Sequence, residues 1–144
     1  MSRARRRGEY ADRGAAAVEF ALVLPLLLVL VLGISQFGIT FSQWLQLEHA
    51  AREGARWGSI GYPGGTTSND QTVRGKVYAA APGLSPRLAD ANVAVSPVDP
   101  ANHQGDPVIV TVTYDTPVLP LMGTFFGETG PTFELTASAV YLIE

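Results

Sequence analysis

Cysteine is absent from all 144 residues. No disulfide framework, thiolate metal site, cysteine nucleophile or thiol-linked lipid anchor is therefore open to the chain. Charge is scarce too: 16% of residues are charged, against about 25% in ordinary soluble domains. Lysine occurs once, at Lys76, beside nine arginines. With 47% hydrophobic residues and a mean hydropathy of +0.16, the composition excludes a disordered chain and a strongly basic nucleic-acid binder. The length suits one small domain and little else. A net charge of −3 conceals an asymmetry. Residues 1–14 carry +3, from Arg3, Arg5, Arg6, Arg7 and Arg13 against Glu9 and Asp12, whereas residues 15–144 carry −6.

What the chain does have is a long apolar run. Ala15–Ile34 reads AAAVEFALVLPLLLVLVLGI, with Glu19 as its one charge. At about 1.5 Å per residue, a helix of this length covers about 30 Å, the thickness of a bilayer's hydrocarbon core. A soluble core helix rarely stays apolar on every face for so long. The reading is a single transmembrane helix over 15–34, seated in the lipid bilayer. Arginines crowd its N-terminal side and none follows until Arg52. The positive-inside rule then places a basic leader, 1–14, in the cytoplasm and the C-terminal part across the membrane. A cleaved secretory signal would end in small residues, but this run passes into SQFGITFSQWLQ.

The helical period continues past Ile34. Phe37, Phe41, Trp44, Glu48, Ala51 and Ala55 recur at spacings of three and four, which predicts an amphipathic continuation over 35–57. Phe37, Phe41 and Trp44 are the expected helix-packing residues, laid against the chain's own C-terminal domain. Gln36, Gln43, Gln46, His49 and Glu53 fall on the expected solvated side. Glu48 and Arg52 have the favourable order for a surface pair. Gly54 and Gly58, followed by GYPGG at 61–65, are the expected stop.

Residues 58–144 hold nine of the ten prolines. A short helix is predicted after Ser68–Asp70, running to Pro82 with Val73, Val77 and Ala81 on one face. Ser85–Pro86 resembles an N-cap with proline at the first helical position, opening one turn through Asp90. Period-2 alternation predicts strands over Asn92–Ser96, Pro107–Asp115 and Phe133–Ile143, the last two joined by a Pro/Gly-rich connection at 116–131. A sheet this small cannot bury its apolar face alone, and the amphipathic half of the long helix is the nearest cover. The expected fold class is α+β: a long N-terminal helix, first transmembrane and then amphipathic, packed on a small antiparallel sheet within an extracytoplasmic domain, 58–144.

Enzyme chemistry is not legible. His49 and Glu53 are four apart, but no HExxH pattern exists. His103 lies near Asp99 and Asp106 in an expected loop, a weak cation pattern at most. GYPGG lacks the lysine of a phosphate-binding loop, and no nucleophile elbow occurs. The expectation is a non-enzyme with no cofactor or metal, no small-molecule substrate and no nucleic-acid partner.

Taken together these motifs resemble one family. RGAAAVEFALVLP, Arg13–Pro25, is similar to the N-terminal signature of TadE-like proteins, the pseudopilins of Tad (Flp) pilus assembly. AAREGAR, Ala50–Arg56, resembles the same family's helix-end motif, and the VTVTYD strand with its Pro/Leu-rich loop and final alternating strand also fits. The resemblance implies a pilin-like fold in a bacterial cytoplasmic (inner) membrane. It implies cleavage by a prepilin peptidase between Gly14 and Ala15. Glu19 would then be the fifth mature residue and Phe20 the sixth, the subunit-pairing positions in the membrane. Flp pilins usually have tyrosine at that sixth place and shorter chains, so the departure favours the accessory class over the major pilin. The implied partner of Glu19 is the new α-amino group of a neighbouring subunit. Other implied partners are pilin-like subunits and the pilus assembly platform. From the residues alone, Glu19 could equally reach water at the cytoplasmic end. A membrane-anchored extracytoplasmic binding domain that is neither processed nor polymerised is the alternative.

Overall fold

The computed structural model describes residues 3–117 and 132–144, with side chains from Gly14 onward in those ranges. The expected connection at 116–131 lies, beyond Pro117, outside the described residues. Contacts divide the chain into two units, residues 1–37 and 38–144.

A single helix, α1 (Arg3–Ser59), supplies the first unit and the start of the second. It begins well before Ala15, where the apolar run alone had placed its start. From Gly14 to Phe37 its side chains are exposed or half-buried. Pro25 sits inside α1, where its ring removes the bond to the carbonyl of Ala21. Four residues past Val31, the Ser35 hydroxyl donates to the Val31 carbonyl at 2.9 Å. Among the described residues one helix is long and apolar enough to cross a membrane, and its most apolar stretch is not buried.

The second unit is α+β. Its sheet is antiparallel with strand order β1-β2-β3: β1 (Val93–Ser96), β2 (Pro107–Pro117) and β3 (Thr132–Leu142). Val95 faces Val110, and Val110 faces Ala139, so one apolar row crosses all three strands. β2 follows the expected alternation, with Val108, Val110, Val112 and Tyr114 buried. In β3, Ala137 and Ala139 are buried while Phe133 and Tyr141, on the same face, remain 61% and 42% exposed. The short helix α2 (Val73–Ala80) presents Val73 and Val77 to the core, as its spacing predicts. Thr72 caps it: its hydroxyl accepts from the Gly75 N–H at 3.1 Å. That satisfies one of the four donors a helix start leaves open.

The second unit's part of α1 completes the core through Leu47, Ala50, Ala51 and Ala55. Part of one expectation is corrected here, the role of Gly54 and Gly58, and the aromatic stripe is only partly covered. Phe41 and Trp44 are 48% and 38% exposed, and Phe37, in the first unit, is 71% exposed. The face that meets the sheet is centred about a quarter turn away from the aromatic stripe, at 100° per residue. It is built of small residues because the backbone of α1 lies close to α2 and β2. A Cβ at Gly58 would stand 2.9 Å from Val108 Cγ2, and one at Gly54 would overlap Val77 Cγ2. Gly54 and Gly58 therefore do not stop the helix; they let it approach. The stop is Gly61, at φ +87°. Its N–H donates to the Gly58 carbonyl at 3.0 Å and the Tyr62 N–H to the Trp57 carbonyl at 3.3 Å, the two bonds of a Schellman motif.

The turn expected from Ser85–Pro86 is also displaced. That peptide bond is cis, and the helical turn that follows it is a 3-10 turn at Asp90–Asn92. Two side chains hold it there. Asn92 Oδ1 accepts from the Ala89 N–H at 2.9 Å, and Asp90 Oδ1 accepts from the Thr67 N–H at 2.6 Å. The Thr67 bond holds the Asp90 carboxyl below its ordinary value. A carboxylate with a depressed native pKa contributes stability above the unfolded value of about pH 4, and loses it as pH falls through the native value. Thermal unfolding of the detergent-solubilised chain should accordingly shift to lower temperature as pH drops below about 4. Asp90→Asn should lower the midpoint at neutral pH and flatten that acid slope. An unchanged slope would show that this carboxylate is not coupled to folding.

Candidate functional site

Every residue singled out for membrane work lies on α1. Gly14 and Ala15 sit inside the helix and are exposed, with nothing within 4 Å of a Cβ built on Gly14. A peptidase could reach this bond without moving any other part of the described chain. It would still have to unwind the helix locally, because cleavage requires an extended backbone. Glycine lowers that barrier, costing a helix about 1 kcal/mol relative to alanine.

Glu19 is exposed, and Phe20 beside it is 65% exposed. Ala15 and Glu19 are four apart on one helix, so both lie on the same face. The surface around them is apolar: Val18, Leu22, Val23, Leu26 and Leu27 are each more than half exposed. In water such a surface is strongly unfavourable; in hydrocarbon it costs nothing. The carboxylate of Glu19 is the exception within the apolar run.

The aromatic residues after the apolar run form a second cluster. Phe41 and Trp44 lie with ring centroids 5.9 Å apart. Just past an apolar span, an amphipathic ring such as the Trp44 indole suits the headgroup level of a bilayer. Both rings are part-exposed, at 48% and 38%.

Residues 14–56 match the TadE-like protein family. The match is the family that the motifs resemble, and it begins at Gly14 and ends within the AAREGAR motif. No curated protein and no solved structure gives a significant match. The TadE-like segment thus contains both halves of α1 that carry distinct surfaces: the apolar span with Glu19, and the small-residue face that meets the sheet.

The structure gives the TadE-like helix-end motif a physical meaning. Ala50, Ala51, Gly54 and Ala55 turn inward to the core. Arg52, Glu53 and Arg56 turn outward, pairing as Arg52–Glu48 and Arg56–Glu53, each at 2.8 Å. Such surface pairs contribute at most about 1 kcal/mol each. Glu53 also accepts from the Trp57 indole at 2.7 Å, and Trp57 stacks edge-on with Tyr62 at 4.7 Å.

Two glutamines expected on the solvated side instead tie α1 to the rest of the second unit. Gln43 Oε1 accepts from the Thr116 hydroxyl at 2.9 Å, and Gln46 Oε1 from the Gly83 N–H at 3.1 Å. Their polarity masked a role in docking that only the inward phase of the helix reveals. Leu47, fully buried, was not among the expected packing residues, because the aromatic stripe set the expected phase of the helix.

His49 and His103 are not brought together. His49 lines a cleft of about 290 Å³ with Glu53, Trp57 and Lys76. His103 Nδ1 lies 2.9 Å from the Asp99 carbonyl oxygen, and Asn102 donates to the Asp99 carboxylate at 2.6 Å. Among the described residues no three His, Cys, Asp or Glu side chains are grouped to hold a metal.

Proposed function

We propose that the chain is a TadE-like minor pseudopilin: a single-pass protein of the bacterial inner membrane that contributes to assembly of a Tad/Flp-type pilus. In this reading the basic leader stays in the cytoplasm and the sheet-bearing unit is extracytoplasmic. A prepilin peptidase removes the leader after Gly14, and the protein then acts by helix packing and subunit association, without turnover of a substrate. Its partners are other pilin-like subunits and the assembly platform, with adhesion or secretion served through the pilus.

One observation carries the reading. The TadE-like match begins with a helical stretch, residues 15–34, that is apolar on all sides and not buried, with its one carboxylate, Glu19, five residues after Gly14. A charge near the middle of a membrane helix costs about 2.5–3.5 kcal/mol on insertion scales, and less near an end. An α-amino group freed by cleavage would offset that cost in a neighbouring subunit.

The intact mass of the protein recovered from its native membrane tests this. A product beginning at Ala15 is expected, and a bulky substitution at Gly14 should leave the full-length chain. A full-length parent, with the Gly14 variant changing neither size nor piliation, would replace this reading with that of an unprocessed membrane-anchored binding domain.

A further inference from the structure

Among the described residues the sheet has one long edge without a backbone partner. β3 is the outer strand of β1-β2-β3, and its eleven residues pair with β2 on one side only. No backbone group among the described residues bonds to the other side. Natural edge strands are usually guarded by lysine, proline, a bulge or short length. β3 contains no lysine, arginine or proline and carries one charge, Glu134. It also leaves Phe133, Val140, Tyr141 and Leu142 exposed, at 61%, 58%, 42% and 69%.

We infer that β3 is the association edge for a second copy of this chain, joined antiparallel about a two-fold axis at Ala137. The inference concerns the second unit and does not depend on the pilus reading. Three features of the strand select this occupant. In a continuous sheet opposed residues must face the same side, and centring on Ala137 is the same-side register that overlaps all eleven residues. That register sets Phe133 against the second copy's Tyr141, twice. These two aromatics are the exposed ends of the core face, and directly opposed side chains lie about 5 Å apart at Cβ. It sets Leu135 against Ala139, large against small. On the outer face it sets Thr136 against Ser138, and Glu134 against Val140, so no like charges meet.

The test uses the full chain purified in detergent, where the lack of native cysteine makes any introduced thiol unique. The parent should sediment as a dimer. A Thr136→Cys chain mixed with a Ser138→Cys chain should form a mixed disulfide at least tenfold faster than Thr136→Cys mixed with Thr111→Cys. Thr111 lies one strand further in, on β2. It would be about 10 Å from the partner strand at the usual strand spacing, beyond disulfide reach. A chain with Thr136→Lys and Ser138→Lys should be monomeric yet unfold at the parent's temperature. Mixing it with a chain carrying Thr136→Glu and Ser138→Glu should restore the dimer. A monomeric parent, a dimer that survives the paired lysines, or equal cross-linking in the two cysteine mixtures would overturn the inference. Should the lysine chain fail to fold, the cysteine pairs decide alone.

Discussion

A Glu19→Ala chain is expected to be trimmed after Gly14 like its parent, and to enter assembled fibres at least about 100-fold less, the lower end of the scale set by removing one partner of a buried ion pair, about 3–5 kcal/mol. The two halves of this result have opposite physical origins. Removing the carboxylate makes insertion of the helix easier, since the insertion cost of the charge disappears. Membrane content should therefore be unchanged or raised. Cleavage depends on access to Gly14, which the substitution does not touch. In the proposed mechanism assembly depends on the pairing of Glu19 with an amino group, and it should fall. If Glu19 serves only to reach water at the membrane surface, alanine would leave assembly as it was. Separate measurement of membrane content, mature mass and pilus yield distinguishes these outcomes, and full piliation by Glu19→Ala would remove Glu19 from the mechanism.

The other large effect is expected at Gly54, in the sheet-bearing unit. A Cβ there would overlap Val77 Cγ2 and stand 3.3 Å from Val110 Cγ1 and 3.5 Å from Val73 Cγ1. All three neighbours are buried β-branched residues, with little rotamer freedom to give way. Gly54→Ala gains about 1 kcal/mol of helix propensity, but overpacking costs about 1–3 kcal/mol. The net result is a loss of up to about 2 kcal/mol. At about 4–8 °C per kcal/mol for a small domain, the unfolding midpoint falls by up to roughly 15 °C. Gly54→Leu adds three further carbons with no space for them and should abolish the cooperative transition. Trp57, edge-on to Tyr62 one turn along α1, gives a fluorescence signal for the measurement. Val77→Ala clears the closest obstruction, so Gly54→Ala should cost less in that background than in the parent. A Gly54→Leu chain that unfolds at the parent's temperature would mean the helix does not approach α2 and β2 as closely as described.

The strands and α2 were legible because each obeys one period over several residues. Val108, Val110, Val112 and Tyr114 alternate without interruption, and the buried face follows from that alone. Val73 and Val77 likewise mark the inner side of α2. The phase of α1 was harder. Its strongest apolar signal comes from Phe37, Phe41 and Trp44, whereas its buried face is made of Leu47, alanines and glycines. Small residues carry little hydropathy, yet they decide where two backbones meet. For the same reason Gly54 and Gly58 look like punctuation in one dimension and are contact positions in three. Gln43 and Gln46 look like surface because polarity in a sequence does not say whether a partner such as Thr116 waits opposite. The Asp90–Asn92 turn depends on Thr67, more than twenty residues away, and no local pattern contains that information. At the candidate site the order was reversed. Gly14, Ala15, Glu19 and Phe20 were found by motif, and the family match covers them, while their exposure on a continuous helix came from the structure.

The quarter-turn offset along α1 has a consequence for how such a protein can change over time. One side of the helix holds the sheet through small residues, and the adjoining side carries Phe41 and Trp44, which keep much of their surface exposed. Selection can retune the second side toward a new neighbour without disturbing the first, so that affinity between molecules and integrity within each one vary as nearly independent traits.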